Sequence, residues 1–144
     1  MPDQSFVNHA RLDTGFHKIL YPILFATWIG SGVNLWQSWG DHTRFYSAAL
    51  LFVLILLTMA LGIFGRVFAL KAQDRAIRAE ENLRHYILTG KLLDPRLHPK
   101  QIVALRFASD DEFPNLAAHA ATHSTDPKSI KQSIKNWRPD HYRV

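Results

Sequence analysis

The sequence predicts an all-α protein: a two-helix transmembrane hairpin whose second span continues as a cytoplasmic helical stalk, followed by a small bundle of three short helices. Three observations predict it. Two runs of 21 residues, Ile19–Trp39 and Phe45–Gly65, contain no Asp, Glu, Lys, Arg or His. Only five residues separate them. From Val67 to Leu88 neither Gly nor Pro interrupts a stretch rich in Ala, Leu, Arg, Lys, Gln and Glu. The chain of 144 residues therefore divides into an N-terminal cytoplasmic segment (1–18), the hairpin (19–65, with spans 19–39 and 45–65), the stalk (66–90) and a basic tail (91–144).

Each uncharged run, as a helix, is about 31 Å long, the hydrocarbon thickness of a bilayer. The first run holds eight Leu, Ile, Val or Phe against Thr27, Ser31, Asn34, Gln37 and Pro22, so it inserts with help from the second. Gly30, Ser31 and Gly32 after an apolar start have the outline of a signal peptide, but the run continues from Val33 to Trp39 and another span follows. The second run holds twelve such residues, favouring insertion by about 4–7 kcal/mol without assistance. Soluble core helices seldom run so far without one charged face.

Orientation follows from charge. Residues 1–65 carry three Lys/Arg and three acids, and residues 66–144 carry fourteen and nine, so the whole net charge of +5 lies after the second span. Arg66, Lys71, Arg75, Arg78 and Arg84 face a connecting loop with one Arg, so the positive-inside rule puts the C-terminal part in the cytoplasm, and two spans return the N-terminus to the same side. Trp36, Trp39, Phe45 and Tyr46 form an outer aromatic belt around the GDHTR turn. There is no cysteine, which excludes disulfides, thiolate catalysis and thioester or thioether lipid anchors.

Past Arg66 the helix continues, with acid-to-base pairs Asp74–Arg78 and Glu80–Arg84 at i,i+4 and a C-cap at Thr89–Gly90. Three short helices follow. Pro99 opens one to Phe107, Ser109 with Glu112 is a capping-box pattern for one to about Thr122, and Asp126–Pro127 starts one ending near Trp137. Their apolar faces are Ile102, Val103 and Phe107; Phe113, Leu116 and Ala120; and Ile130, Ile134 and Trp137. A core this small leans on the stalk or the membrane.

The segments ALRFASDDEFPNL (Ala104–Leu116) and SIKNWRPDHYRV (Ser133–Val144), with NHAR (Asn8–Arg11) and FALKAQDRAIRAEENLR after the second span, resemble an uncharacterised family of small bacterial two-span membrane proteins, a domain of unknown function. The resemblance covers essentially the whole chain. It implies two spans, a cytoplasmic helical tail and a bacterial cytoplasmic (inner) membrane, and it carries over no activity, ligand or catalytic residue.

Among candidate sites, His119 and His123 have the i,i+4 spacing of two metal ligands, but Glu112, His98 and Asp126 are poorly placed to supply a third, and both histidines read as solvated. His17 and His42 sit at the two interfaces. No span carries a buried acid or base of the kind that marks a proton or ion path. Asp110, Asp111 and Glu112 are adjacent carboxylates that complement a helix dipole rather than an acid–base pair. No catalytic residue, cofactor or metal is assigned.

Two surfaces remain. Lys128, Lys131, Lys135 and Arg138 line one face of the last helix, with Arg143 beyond, and could meet anionic lipid headgroups; nucleic acid has no motif behind it. The sharper feature is a seam: Thr58, Gly62, Gly65, Ala69, Ala72, Ala76, Ala79, Leu83 and Tyr86 recur at alternating spacings of 4 and 3. In a bilayer small residues let helices approach closely, and in water this spacing is a coiled-coil seam. An Ala-rich stalk can also show it by composition alone. Ala26 and Gly30 offer an intramolecular partner inside the bilayer; beyond it the occupant is open between a second copy, a subunit of a larger membrane complex and the protein's own tail. The expectation is a non-enzymatic membrane-anchored interaction or assembly factor, or accessory subunit, with a protein partner. The alternative is a membrane-anchored binder of anionic lipid or nucleic acid through the basic tail.

Overall fold

A computed structural model describes residues 4–8 and 12–141. His9–Arg11 of the NHAR segment and Tyr142–Val144, with Arg143, lie outside the described residues. The chain is all-helical, with helices α1 (Tyr21–Gln37), α2 (His42–Thr89), α3 (Pro99–Leu105), α4 (Phe113–His123) and α5 (Pro127–Ser133). It divides into two compact units, residues 12–68 and residues 4–8 with 69–141.

In the first unit, α1 is preceded by a π-helical turn, Thr14–Leu20, capped by Asp13, whose side chain accepts from the Phe16 N–H at 2.8 Å. Pro22 lacks the N–H that would bond the Lys18 carbonyl, which accounts for a widened turn there. Helical structure thus starts five residues before the apolar run. The turn between the helices uses Gly40 at φ 95°, a conformation that favours glycine. Asp41 accepts from the Arg44 N–H at 3.2 Å, so His42–Arg44, expected in the loop, begin α2.

Thr14–Gln37 and His42–Thr89 are long and apolar enough to cross a membrane. In the most apolar stretch of each, 0% and 6% of residues are buried, so neither is a core helix of its unit. Thr27, Ser31, Ser38 and Thr58 donate their hydroxyls to carbonyls of their own helix, which lets them sit in an apolar span without an orphaned donor. Close approach occurs at Gly32, where the Phe52 ring lies 3.6 Å from the position a Cβ would take, and not at the expected Gly30, which has nothing within 4 Å. Ala26 is exposed as well. The side of α1 that packs carries Ser31 and Gly32, one and two positions further round.

In the second unit α2 ends as expected, with Gly90 at φ 73° and its N–H on the Tyr86 carbonyl at 2.8 Å. The core gathers Leu97, Ile102, Leu105, Phe107, Phe113, Ala117, Ala120, Ile130 and Ile134, all buried, with Leu116 and Trp137 packed at its edge. The N-terminal segment belongs here too. The Gln4 amide donates to the Asp140 carbonyl at 3.1 Å and accepts from the Asp140 N–H at 2.8 Å, while the Asp140 carboxylate pairs with buried Arg106 at 3.0 Å.

Helix α3 starts at Pro99, as expected, but ends at Leu105, short of Phe107. His98 and Gln101 form an unexpected capping box: Gln101 Oε1 accepts from the His98 N–H at 2.7 Å, and His98 Nδ1 accepts from the Lys100 N–H at 3.3 Å. Buried Gln101 also donates to the Thr125 carbonyl at 2.8 Å, tying the start of α3 to the end of α4. Conversely, Ser109 and Glu112 form no capping box; α4 starts at Phe113, and Glu112 turns its carboxylate to the backbone N–H groups of Lys135 and Asn136, both at 3.0 Å. The adjacent carboxylates therefore do not form a first helical turn.

The last helix stops at Ser133, four residues short of Trp137, because the following segment is extended. The Ser109 N–H donates to the Asn136 carbonyl at 3.0 Å and the Arg138 N–H to the Phe107 carbonyl at 2.7 Å, which makes an isolated antiparallel bridge at Ala108–Trp137. Trp137 does not complete a helical stripe; its ring lies 5.1 Å from that of Phe107.

Candidate interaction surface

From Ala69 on, α2 presents two different faces. One is covered by the tail. Ile77 and Glu81 are buried, and Arg84 reaches from the same side into the tail. Its guanidinium donates to Glu81 at 2.9 Å, to Asp110 at 2.7 Å through Nε, and to the Ala108 carbonyl at 2.7 Å, and it lies 4.4 Å from the centre of the Phe113 ring. The expected i,i+4 pair with Glu80 is not made, because the i,i+3 partner Glu81 and the tail take Arg84 instead. Asn82 accepts from the Leu93 N–H at 2.9 Å, and His85 Nδ1 donates to the Lys91 carbonyl at 2.7 Å while its ring meets the edge of Phe113. Arg138 reaches the other oxygen of Glu81 at 3.8 Å. Apart from the Arg84–Glu81 pair within α2, each contact spans from the helix to a residue that follows it by sequence, so the tail folds back on its own stalk.

The other face stays bare. Of the seam residues, Thr58, Gly65, Ala72, Ala76, Ala79, Leu83 and Tyr86 are exposed, and Gly62 and Ala69 are half-buried. Leu83 and Tyr86 are 60% and 53% exposed, and Ile87 beside them 73%. Nothing lies within 4 Å of where a Cβ on Gly62 or Gly65 would sit. Among the described residues, the tail occupies the Ile77–Glu81–Arg84 side and leaves the seam from Ala72 to Tyr86 exposed.

The expected basic face is dispersed. Lys128 and Lys131 lie on α5, but Lys135 and Arg138 lie on the extended segment after it, with the Lys135 N–H on Glu112 and the Arg138 side chain toward Glu81. Lys131 Nζ stands 5.7 Å from the Phe107 ring centre. The four do not share one helical face.

His119 and His123 stack with ring centres 4.2 Å apart; His123 Nδ1 lies 3.1 Å from the His119 carbonyl, and His119 Nδ1 lies 3.4 Å from Thr125 Oγ1. Both are exposed, and among the described residues no group of three or more His, Asp or Glu is placed to hold a metal ion. Two carboxyls, half-buried Asp94 and exposed Asp126, are held below their ordinary range. Asp94 is lowered to about 2 by hydrogen bonds from the Arg96 side chain and backbone. Asp126, the N-cap of α5, is lowered by the Ser129 hydroxyl and by the backbone N–H groups of Ser129 and Lys128.

Compared with known proteins, residues 1–144 match the model of a family of unknown function, DUF6526. No curated protein and no solved structure matches the chain.

Proposed function

The chain belongs to the DUF6526 family, and we propose for it the role of a non-enzymatic, membrane-anchored interaction or assembly factor that acts as an accessory subunit through the bare face of its stalk. The carrying observation is the asymmetry of α2 after Ala69: one side meets the tail, while the other leaves Ala72, Ala76, Ala79, Leu83 and Tyr86 exposed among the described residues. Contiguous exposed apolar surface on a folded chain marks a place where another surface docks. The charged groups between stalk and tail support the same reading, since Glu81 and Arg84 of α2 pair with each other and with Arg138 and Asp110 of the tail.

In this reading the hairpin spans a bacterial cytoplasmic membrane through 19–39 and 45–65 with both termini inside. The Lys/Arg excess after Gly65 supports that direction. The pairing of Gln4 with Asp140 agrees with it, because the N-terminal residues and the tail share one unit. A reporter fused after Val144 is active only in the cytoplasm, and one inserted at Asp41 only outside; the reverse pattern refutes the orientation.

The interface itself is tested in native membranes with a photo-reactive side chain at Ala76 or Leu83 and, as control, at Arg78, about 130° or more round the helix from them. The expected result is a discrete protein adduct from the two seam positions and none from Arg78. Absence of any adduct at the seam refutes the function.

A further inference from the structure

The charges that flank the bare face identify what covers it. With Ala69, Ala76 and Leu83 at heptad position a and Ala72, Ala79 and Tyr86 at d, the flanking g positions hold Phe68, Arg75 and Asn82, and the e positions Gln73, Glu80 and Ile87. In a parallel two-stranded coil each g residue meets the e residue five positions further along the other helix. The resulting pairs are Phe68 with Gln73, Arg75 with Glu80, and Asn82, whose side-chain oxygen already holds the Leu93 N–H, with Ile87. The one charged pair has opposite signs, and no pair sets like charges together.

Arg75 and Glu80 cannot satisfy each other within one helix, since five residues place them about 140° apart. Both are exposed, and among the described residues neither has an ion pair. The intrahelical base that would suit Glu80, Arg84, is turned into the tail. Opposite charges thus stand free on the two shoulders of an apolar face that ends in Leu83, Tyr86 and Ile87, 60%, 53% and 73% exposed.

We propose that this face pairs with a second copy of the chain, parallel and in register, with Arg75 of each copy against Glu80 of the other. The proposal rests on the reading of the bare face as an interface and names its occupant. Parallel direction follows from insertion, because two copies oriented by the same charge bias run the same way through one membrane. Confinement to that membrane raises the effective concentration, which lets a seam with several alanines associate where it would be weak in water. The Ala residues permit the backbones to come close, and Leu83 and Tyr86 supply the apolar contact.

The full chain in native membranes provides the test, aided by the absence of any natural cysteine. Under mild oxidation Ala79→Cys gives a disulfide-linked dimer and Arg78→Cys does not, because bridging needs Cα atoms within about 7 Å. In the Ala79→Cys background, Arg75→Glu and Glu80→Arg each set like charges opposite one another twice per dimer and lower the dimer yield about fivefold, and the double reversal restores it. Equal crosslinking at 78 and 79, or none at 72, 76 and 79, overturns the dimer. A double reversal no better than the single ones overturns the register. If the photo-reactive group at Leu83 captures a chain of a different mass and no second copy, the homodimer fails and the interface stands; if it captures nothing, both fail.

Discussion

Arg84→Ala is the perturbation that most directly tests how the tail is held. The Arg84 side chain is 10% exposed and that of Glu81 8%, with 2.9 Å between them. Removing the guanidinium leaves a buried carboxylate whose remaining cationic neighbour is Arg138 at 3.8 Å, itself 54% exposed. Breaking a buried ion pair from one side costs about 3–5 kcal/mol, because the surviving charge stays desolvated. The lost bond to the Ala108 carbonyl and the stacking on Phe113 fall within the same loss, since they report one side chain. Asp110 contributes less: its side chain is 65% exposed, and a pair to it carries about 0–1 kcal/mol.

Against a domain stability of about 5–15 kcal/mol, Arg84→Ala opens the tail measurably while leaving insertion intact. Pulse proteolysis in urea, on the full chain in nanodiscs, reads the stability of residues 91–141. Glu81→Ala is destabilising too, and the double variant loses less than the two single losses together, because neither charge is then stranded. A loss below about 1 kcal/mol for Arg84→Ala, or one no larger than that of Asp110→Ala, refutes the reasoning.

Three further outcomes follow from single contacts. Glu112→Ala releases the backbone N–H groups of Lys135 and Asn136 and costs about 1–3 kcal/mol; amide exchange at those two positions accelerates, and unchanged exchange counts against the contact. Asp126 has a folded pKa below its unfolded value, so its stabilisation is present above the ordinary carboxylate range and is lost as pH falls through the folded value. Asp126→Asn keeps a cap and flattens that acid limb in a pH series of tail protection, and an unaltered limb would show that the loss comes from elsewhere. Gly90→Ala forces a side chain into φ 73° and destabilises the tail by about 1–2 kcal/mol although the site has open space; no change in urea midpoint refutes the strain.

What the sequence made legible was what short-range rules govern. Two uncharged runs, the long Gly-free and Pro-free stretch, Gly90 and Asp126–Pro127 each fix a feature through residues a few positions apart, and the helices His42–Thr89 and Pro127–Ser133 start or stop accordingly. The misreadings arise where a distant segment competes for the same groups. Glu80 was the local choice for Arg84, but the tail offers Asp110 and the Ala108 carbonyl 26 and 24 residues on, and Glu81 is the acid on that side. Helical spacing carried α5 to Trp137, yet a short helix has little stability of its own, and the backbone from Asn136 to Arg138 gains partners at Ser109 and Phe107 by being extended. Ser109 followed by Glu112 had the letters of a capping box, but Glu112 satisfies the chain around Lys135 instead.

The same competition explains why the seam and the tail contact can coexist on one helix. At 3.6 residues per turn, Ile77, Glu81 and Arg84 cluster on one side, and Ala72, Ala76, Ala79 and Leu83 cluster about 140° away. Glu81 and Arg84, the charged groups that anchor the tail, are on the first cluster, so the tail folds back over that side and, among the described residues, leaves the second exposed. A substitution such as Ala76→Leu consequently separates the two roles: the side chain enters no contact of the tail, whose urea midpoint stays where it was, while a closely apposed helix on the seam is pushed away and its adduct from Leu83 falls. If Ala76→Leu instead destabilised the tail, the faces would not be independent, and the assignment of the seam as a free surface would fail with them.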